Sequence, residues 1–349
     1  MTVVDSLQKN EVLDGMVCKL DRKFPLVQLS DGRKLRCELA TNLKKRRGAG
    51  VQEGDPSRSD GADSPAQLTI GDAVEVSVLE GHDVGRIDRI LPRRSEFLRR
   101  DPVDRALSQT LAANFDRVLI MHPVDRLNPK RLERELVLAH SAGADVVVVM
   151  TKKDLVDEEE LVRRLSIVGD LAGSIVDVMA ISAKDPSSIE GIRNKLTDGS
   201  VSIMIGSSGA GKSTLVNALL GSEVRATSEV RSSDGKGRHK TVSREMIELP
   251  SSSDEPGSSA PAFLVDMPGV RGLGLWDSLD GVESAFPDIL SHAAECRFRD
   301  CSHKNEPGCA VTAAVEKGEI STSRVESYLA MIDELDAMAS RRERASWRK

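Results

Sequence analysis

No stretch of this chain approaches the roughly 20 consecutive apolar residues that a membrane-spanning helix needs, and residues 1–10 lack the apolar centre of a secretory signal. No membrane role is therefore expected, and the chain should work in the cytoplasm. Aromatic side chains make up 3% of the 349 residues, and the barrel-like N-terminal part holds almost none of the rings on which nucleobases stack. Cysteine is sparse and odd in number, five in all. Three of the five fall within one short C-terminal window, which suits reduced thiols on a metal better than a disulfide framework. Net basic charge is missing too: 49 Lys and Arg against 55 Asp and Glu leave a formal charge of −6, which excludes a uniformly basic nucleic-acid binder. Local patches remain open, because the first 100 residues carry 18 basic against 16 acidic residues and the remainder 31 against 39.

What the chain does have is length for two or three domains and, at 39% hydrophobic residues, enough apolar material for real cores. One segment organises it. Gly206-Ser207-Ser208-Gly209-Ala210-Gly211-Lys212-Ser213-Thr214 has the spacing of a phosphate-binding loop, follows an apolar run at Val201–Ile205 that reads as a buried strand, and opens a helix over Lys212–Leu220. Its glycines let the backbone close around a phosphate chain with several N–H groups pointing inward, and the helix presents its positive end. Lys212 is placed to reach the β- and γ-phosphates and Ser213 to ligate magnesium.

The first hundred residues read as short strands broken by turns: Asp14–Leu20, Pro25–Leu29, Lys34–Leu39, Ala73–Leu79 and Gly85–Ile90, with a hairpin signal at Asp31-Gly32. Five short strands in that length suggest a small closed barrel of the OB type over residues 1–100. Between Leu43 and Leu68 lies Lys44-Lys45-Arg46-Arg47, followed by a run rich in Gly, Ser, Asp and Pro. It reads either as a solvated loop or as a phosphate-gripping arm that folds against RNA.

After Pro92-Arg93-Arg94 the pattern becomes alternating strands and helices, with covered strands at Arg117–Met121, Ala144–Met150, Val176–Ile181 and Val201–Ile205 and helices over Pro129–His140 and Glu158–Ala172. Thr151-Lys152-Lys153-Asp154 ends the second run and Ser182-Ala183-Lys184 ends the third. In a guanine site the Asp154 carboxylate accepts two N–H groups from the base edge, a Lys stem lies along the ring, and the Ala183 N–H donates to the exocyclic oxygen. Adenine presents the wrong donors and acceptors. Lys-Lys-Asp by itself is also an ordinary solvated helix start; the two tetrapeptide-scale signals at strand ends beside a phosphate loop make the combination specific.

Beyond the phosphate loop come Gly235-Lys236-Gly237-Arg238-His239-Lys240-Thr241, strands at Met246–Leu249 and Ala262–Val265, and Asp266-Met267-Pro268-Gly269. Thr241 is the expected switch threonine responding to magnesium and the γ-phosphate, Asp266 reaches magnesium through water, and Gly269 lends a backbone N–H to the γ-phosphate. Val270 stands where many GTPases place the glutamine that orients the attacking water. The guanine motifs precede the phosphate loop, so this α/β domain, expected over residues 101–275, is a circularly permuted P-loop GTPase fold.

In the last part, residues 276–349, Cys296, Cys301, His303 and Cys309 offer four soft ligands within fourteen positions, which suits a tetrahedral Cys3His zinc site with a structural role. The intervening Arg297, Arg299, Asp300, Lys304 and Asn305 are too polar for a core. Cys18 and Cys37, in barrel strands, read as plain small apolar residues. Helices follow at Thr312–Glu316 and Thr322–Ser340, and the basic tail from Arg341 to Lys349 is either a frayed helix end or a contact for RNA phosphates.

The permuted motif order, Gly237-Arg238-His239 before Thr241, Asp266-Met267-Pro268-Gly269-Val270-Arg271, Gly71-Asp72, Leu91-Pro92-Arg93 and the cysteine cluster together resemble the circularly permuted GTPases of the RsgA (YjeQ) type, the small ribosomal subunit biogenesis GTPases. The resemblance spans nearly the whole chain. It implies a late assembly factor of the small ribosomal subunit that binds GTP and GDP with magnesium, carries one structural zinc, contacts ribosomal RNA and turns over when the subunit stimulates it. It also implies His239 as a catalytic group beside Lys212, the alternative being a histidine that merely packs in its loop. Such a protein is expected to act as a monomer. Three departures are visible: Thr151 replaces the usual Asn, which is expected to loosen one contact to the phosphate loop, Lys240 replaces the usual Thr, and the Leu43–Leu68 insertion bears on the barrel's binding loops. A GTP-sensing switch of low turnover acting on a protein partner is the second reading. A kinase using ATP is disfavoured by Asp154 and Ala183.

Overall fold

The computed structural model describes residues 10–21, 24–46, 67–79, 83–100, 108–221, 245–250, 261–267, 279–304 and 306–346. Most of the Leu43–Leu68 insertion, the switch segment with His239, Lys240 and Thr241, the Gly269-Val270-Arg271 stretch and the final three residues lie outside them.

Alternation of apolar and polar residues forms the strands β1 (Asn10–Lys19), β2 (Leu26–Leu29) and β3 (Lys34–Leu39); a short helix α1 (Thr41–Arg46) and the strands β4 (Ala73–Leu79) and β5 (Val84–Ile90) follow. They close into a barrel in the order β1-β2-β3-β5-β4, with β3 and β5 parallel and the other neighbours antiparallel. Val17, Val27, Val74, Val76 and Ile87 fill it. This is the five-stranded barrel that the sequence suggests, with Asp31-Gly32 at the β2–β3 turn. β1 starts four residues earlier than its apolar pattern, because Val12, 62% exposed, carries no burial signal. Cys37 lies in this core, its thiol pushed up to about 11 by burial, so it packs as an apolar residue.

A two-stranded ribbon, β6 (Glu96–Arg100) with β7 (Ser108–Ala113), leads out of the barrel. Arg93 ties the two together: its Nε and Nη2 donate to both Asp72 oxygens at 2.7 and 3.0 Å, and its Nη1 reaches Glu96 at 2.9 Å and Thr110 at 3.0 Å. The pair is buried, so the bidentate fork satisfies charges that water cannot. The Gly71-Asp72 and Leu91-Pro92-Arg93 signals are thus a structural joint.

The central sheet runs through β8 (Arg117–Pro123), α2 (Pro129–His140), β9 (Asp145–Thr151), α3 (Glu158–Ala172), β10 (Asp177–Ala180), α4 (Pro186–Arg193), β11 (Val201–Gly206), α5 (Lys212–Leu220), β12 (Met246–Glu248) and β13 (Phe263–Asp266). Its order is β10-β9-β8-β11-β13-β12, parallel except for β12. β11 is buried along its whole length, Ile203 and Ile205 in one core and Met204 in the other, which is why it reads as a continuous apolar run. Asn128 caps α2 by accepting from Arg131 N, and Asp157 caps α3 by accepting from Glu160 N.

Among the described residues four helices follow: α6 (Leu279–Ala285), α7 (Pro287–Ala293), α8 (Ala310–Glu316) and α9 (Thr322–Ser346). They pack on α2. Buried Arg324 of α9 donates to both Asp288 oxygens at 2.5 and 2.8 Å, to Glu133 at 3.2 Å and to the Ala285 carbonyl at 2.9 Å, and its guanidinium lies 4.6 Å from the Phe286 ring centroid. Among the described residues no helix is long and apolar enough to cross a membrane.

Candidate functional site

The strands β8, β9, β10, β11 and β13 end along one edge of the sheet, and the expected motifs meet there, as sites do in open parallel sheets. Gly206 leaves β11 at φ 146°, and a Cβ there would stand 2.4 Å from the Met121 carbonyl of β8, so no other residue fits the turn. Gly209 and Gly211 are also left-handed, which lets the loop double back before α5 begins at Lys212. Ser207, Ser208 and Gly209 are accessible, Ala210 is buried, and Ser213 and Thr214 lie in the first turn of α5. Lys212 Nζ lies across the loop, donating to the Gly206 and Ser207 carbonyls at 2.8 and 3.2 Å. Burial holds its ammonium below the ordinary lysine range, against the pull of Asp266 and Glu135. Asp266, buried at the end of β13, pairs in register with Met204 of β11, which sets it beside the loop.

Thr151, which stands where GTPases generally carry Asn, bonds the phosphate loop directly. Its hydroxyl donates to the Ala210 carbonyl at 2.9 Å, and its side chain lies 3.5 Å from where a Cβ of Gly211 would stand. The strand end of β9 therefore braces the loop directly, with a shorter side chain than asparagine. The next residue, Lys152, takes a left-handed conformation, φ 60°, uncommon for a side-chain-bearing residue and found where a loop must turn sharply at a site. That turn lets Lys153 N–H bond the Ile181 carbonyl at 3.1 Å, which joins the Thr151–Asp154 loop to the Ser182–Lys184 loop. Asp154 accepts from Ser182 Oγ and Lys184 Nζ, both at 2.7 Å. Lys184 and Ser182 hold its carboxyl below the ordinary carboxylate range, so it is an anion facing the open edge. Ala183 is exposed in the turn beside it, and Lys153 is anchored on Asp185 at 2.8 Å.

Three residues at the same place were not legible as site residues. Glu135 of α2 is fully buried, accepts from Arg131 Nε at 2.9 Å, and is bonded by His122 Nε2 at the end of β8. Its charge favours the Lys212 ammonium electrostatically. A signal existed: Glu133 and Glu135 stand about 200° apart around a helix, so they could not share a solvent face. Glu133 instead faces Arg324 and the C-terminal helices. One helix thus carries a buried carboxylate that acts electrostatically on Lys212 and another that pairs with Arg324 of the last helices.

Cys296, Cys301, His303 and Cys309 converge with all ligand atoms within 4.8 Å of one another. Cys296 Sγ is 4.0 Å from Cys309 Sγ and 3.6 Å from His303 Nδ1, which is 3.5 Å from Cys309 Sγ. Zinc–sulfur bonds of about 2.3 Å in a tetrahedron separate the sulfurs by about 3.8 Å, so this donor set fits one zinc ion. Burial alone would raise the Cys309 thiol, but hydrogen bonds from Thr312 and the approach of His303 outweigh it and bring it to about 6, a ready thiolate.

A sequence model of the RsgA GTPase family matches residues 90–276 of the chain. The small ribosomal subunit biogenesis GTPase RsgA of Leptospira interrogans is 40% identical over 277 residues, spanning 78% of this chain and 74% of that protein. The protein of the same name from Xanthomonas euvesicatoria is 39% identical over 279 residues, 80% of this chain and 72% of its own. Among solved structures, YjeQ from Thermotoga maritima superposes with a TM-score of 0.66 at 26% identity, covering 93% of this chain and 99% of that one. YloQ, a circularly permuted GTPase, shares the fold with a TM-score of 0.60 over 94% and 96% of the two chains. With the phosphate loop, the base-side loops and the permuted strand order on one sheet edge, the chain belongs to the RsgA GTPase family of circularly permuted GTPases.

Proposed function

We propose that this protein hydrolyses GTP as a late assembly factor of the small ribosomal subunit, working in the cytoplasm as a monomer. The observation that carries the reading is the bond from Thr151 to Ala210, which couples a loop suited to guanine with a loop suited to phosphates across two parallel strands. Asp154 and the Ala183 N–H would read the base, Lys152 and Lys184 would flank it, and Lys153 would hold the loop through Asp185. The backbone of residues 206–211 would cradle the phosphates, with Lys212 exchanging its two carbonyl partners for phosphate oxygens and Ser207, Ser208 and Thr214 at the rim. Ser213, Thr241 and, through water, Asp266 would hold magnesium, which neutralises charge developing on the β- and γ-oxygens. Gly269 would contribute its N–H, and His239 would stand in for the glutamine that Val270 replaces. Cys296, Cys301, His303 and Cys309 would hold a zinc ion whose coordination, filled by protein, supports the fold and does no chemistry. The parts would be a barrel over 1–100 that meets ribosomal RNA, the GTPase domain over 101–275 and the zinc module over 276–349.

The test is phosphate release from GTP with isolated small or large ribosomal subunits at low and moderate salt. Small subunits should raise turnover by at least about tenfold, as coupling of ~1–3 kcal/mol implies, and GTP should tighten their binding. Equal response to both subunits, or to neither, would put the switch reading ahead.

A further inference from the structure

Phe24 and Phe298 are the exposed aromatic rings among the described residues, and Phe298 stands 44% exposed on the loop between Cys296 and Cys301. That loop is well held. Arg297 N–H bonds the Gly308 carbonyl at 3.1 Å, and the Arg297 stem packs over Gly308, which is left-handed at φ 81° and leaves no room for a side chain. The Arg297 guanidinium lies 5.4 Å from the Phe298 ring centroid, covering part of the ring and fixing its orientation. Arg299, the next residue, is exposed as well. Glu295 and Asp300 flank the three residues, yet among the described residues neither Arg297 nor Arg299 has an ion pair, whereas the next cation, Lys304, is taken up by Asp333 at 3.1 Å.

An exposed ring in a chain so poor in aromatics costs solubility and, by leaving apolar surface in water, stability. Two cations left without partners beside it gain little from an apolar protein surface and much from phosphates. Every base has a π-face, so a ring held by one guanidinium, with a second exposed arginine next to it in the chain, suits an unpaired nucleotide without regard to its identity, and rigidity before binding lowers the entropy lost on binding. We propose that Phe298 is a stacking platform for an unpaired base of RNA, with Arg297 and Arg299 on the neighbouring phosphates. The proposal rests on the assembly reading above, since it takes the RNA to be that of the small subunit.

Two binding measurements on the full-length, zinc-loaded protein test it: a labelled short single-stranded RNA oligonucleotide by fluorescence anisotropy, and isolated small subunits by sedimentation. Phe298→Ala should weaken RNA binding roughly five- to a hundred-fold, the range of one lost base stack, with zinc content and unstimulated GTP turnover unchanged. Phe298→Trp should restore binding and Phe298→Leu should not, because leucine keeps apolar volume and lacks the π-face. Replacing Arg297 and Arg299 together by Gln should lower the slope of log affinity against log salt by about 0.7 for each phosphate that the pair no longer neutralises. Full affinity of Phe298→Ala in both measurements overturns the platform, and so does full rescue by leucine, which would mark an apolar contact with a protein. Small subunits that bind the unaltered protein and Phe298→Ala alike refute the platform alone. RNA binding that needs Phe298, in a protein that small subunits do not bind, refutes the assembly reading and leaves the platform standing.

Discussion

Replacing Thr151 by valine isolates the bond on which the coupled nucleotide site depends. The two side chains have the same shape, so the strand end, 4% exposed, keeps its packing and loses one hydroxyl. That hydroxyl has a single proton, and its shorter contact is to the Ala210 carbonyl at 2.9 Å, against 3.4 Å to the His122 carbonyl. Ala210 is 1% exposed, so water cannot replace the donor. Removing one partner of a buried bond costs ~1–3 kcal/mol. We take about 1–2 kcal/mol, since the carbonyl keeps a second lone pair for other donors. The cost falls on the arrangement of the phosphate loop that binds nucleotide, and a loop less populated in that arrangement binds more weakly by the same free energy. Affinity for GTP and GDP should therefore fall by about 5- to 30-fold, with little change in thermal stability. Titration of a fluorescent guanine nucleotide measures it. Affinity within twofold of the unaltered protein would show that the loop holds its shape without Thr151, and the brace would be refuted.

Asp154→Asn removes the acceptor pair for guanine and should shift preference from guanosine toward xanthosine nucleotides; equal binding of GTP and ATP by the unaltered protein would sink the assignment. Because Lys184 and Ser182 hold the Asp154 carboxyl below its ordinary range, it stays ionised, and GTP affinity should be flat from pH 8 down to about pH 5. Binding lost as pH falls from 7 to 6 would implicate another group. Arg324→Met leaves Glu133 buried without its partner, and we expect about 3 kcal/mol of destabilisation, toward the lower end for a broken buried pair because Asp288 is 39% exposed. The C-terminal helices should then become protease-sensitive while nucleotide binding persists; an unchanged melting temperature would argue against the clamp. Stripping metal with a chelator should unfold the module around Cys296, Cys301, His303 and Cys309 with unstimulated GTP turnover retained. Less than about half an equivalent of zinc in protein purified without chelator would count against the site.

Features encoded within a few turns of chain were legible from the residues alone. The phosphate loop declares itself by closely spaced glycines and Lys212, the Cys3His cluster by four soft ligands from Cys296 to Cys309, the covered strands by apolar runs, and α2, α3 and α5 by patterns whose bounds match residue for residue. The ribbon of β6 and β7 escaped notice because its strands mix charged and polar residues with short apolar pieces that do not alternate cleanly, as did the short helices α4, α6 and α7, whose few turns give too little periodicity. What only the tertiary structure decided is which distant groups meet. Thr151 reaches Ala210 across 59 positions, Arg324 reaches Glu133 across 191, and His122 at the end of β8 bonds the buried Glu135 of α2. A buried charge and a surface charge on an amphipathic helix look alike in sequence, since burial depends on what packs over them. The tertiary packing settles that, and with it the two buried carboxylates of α2, one bonded by Arg131 and His122 and the other by Arg324 of the last helix.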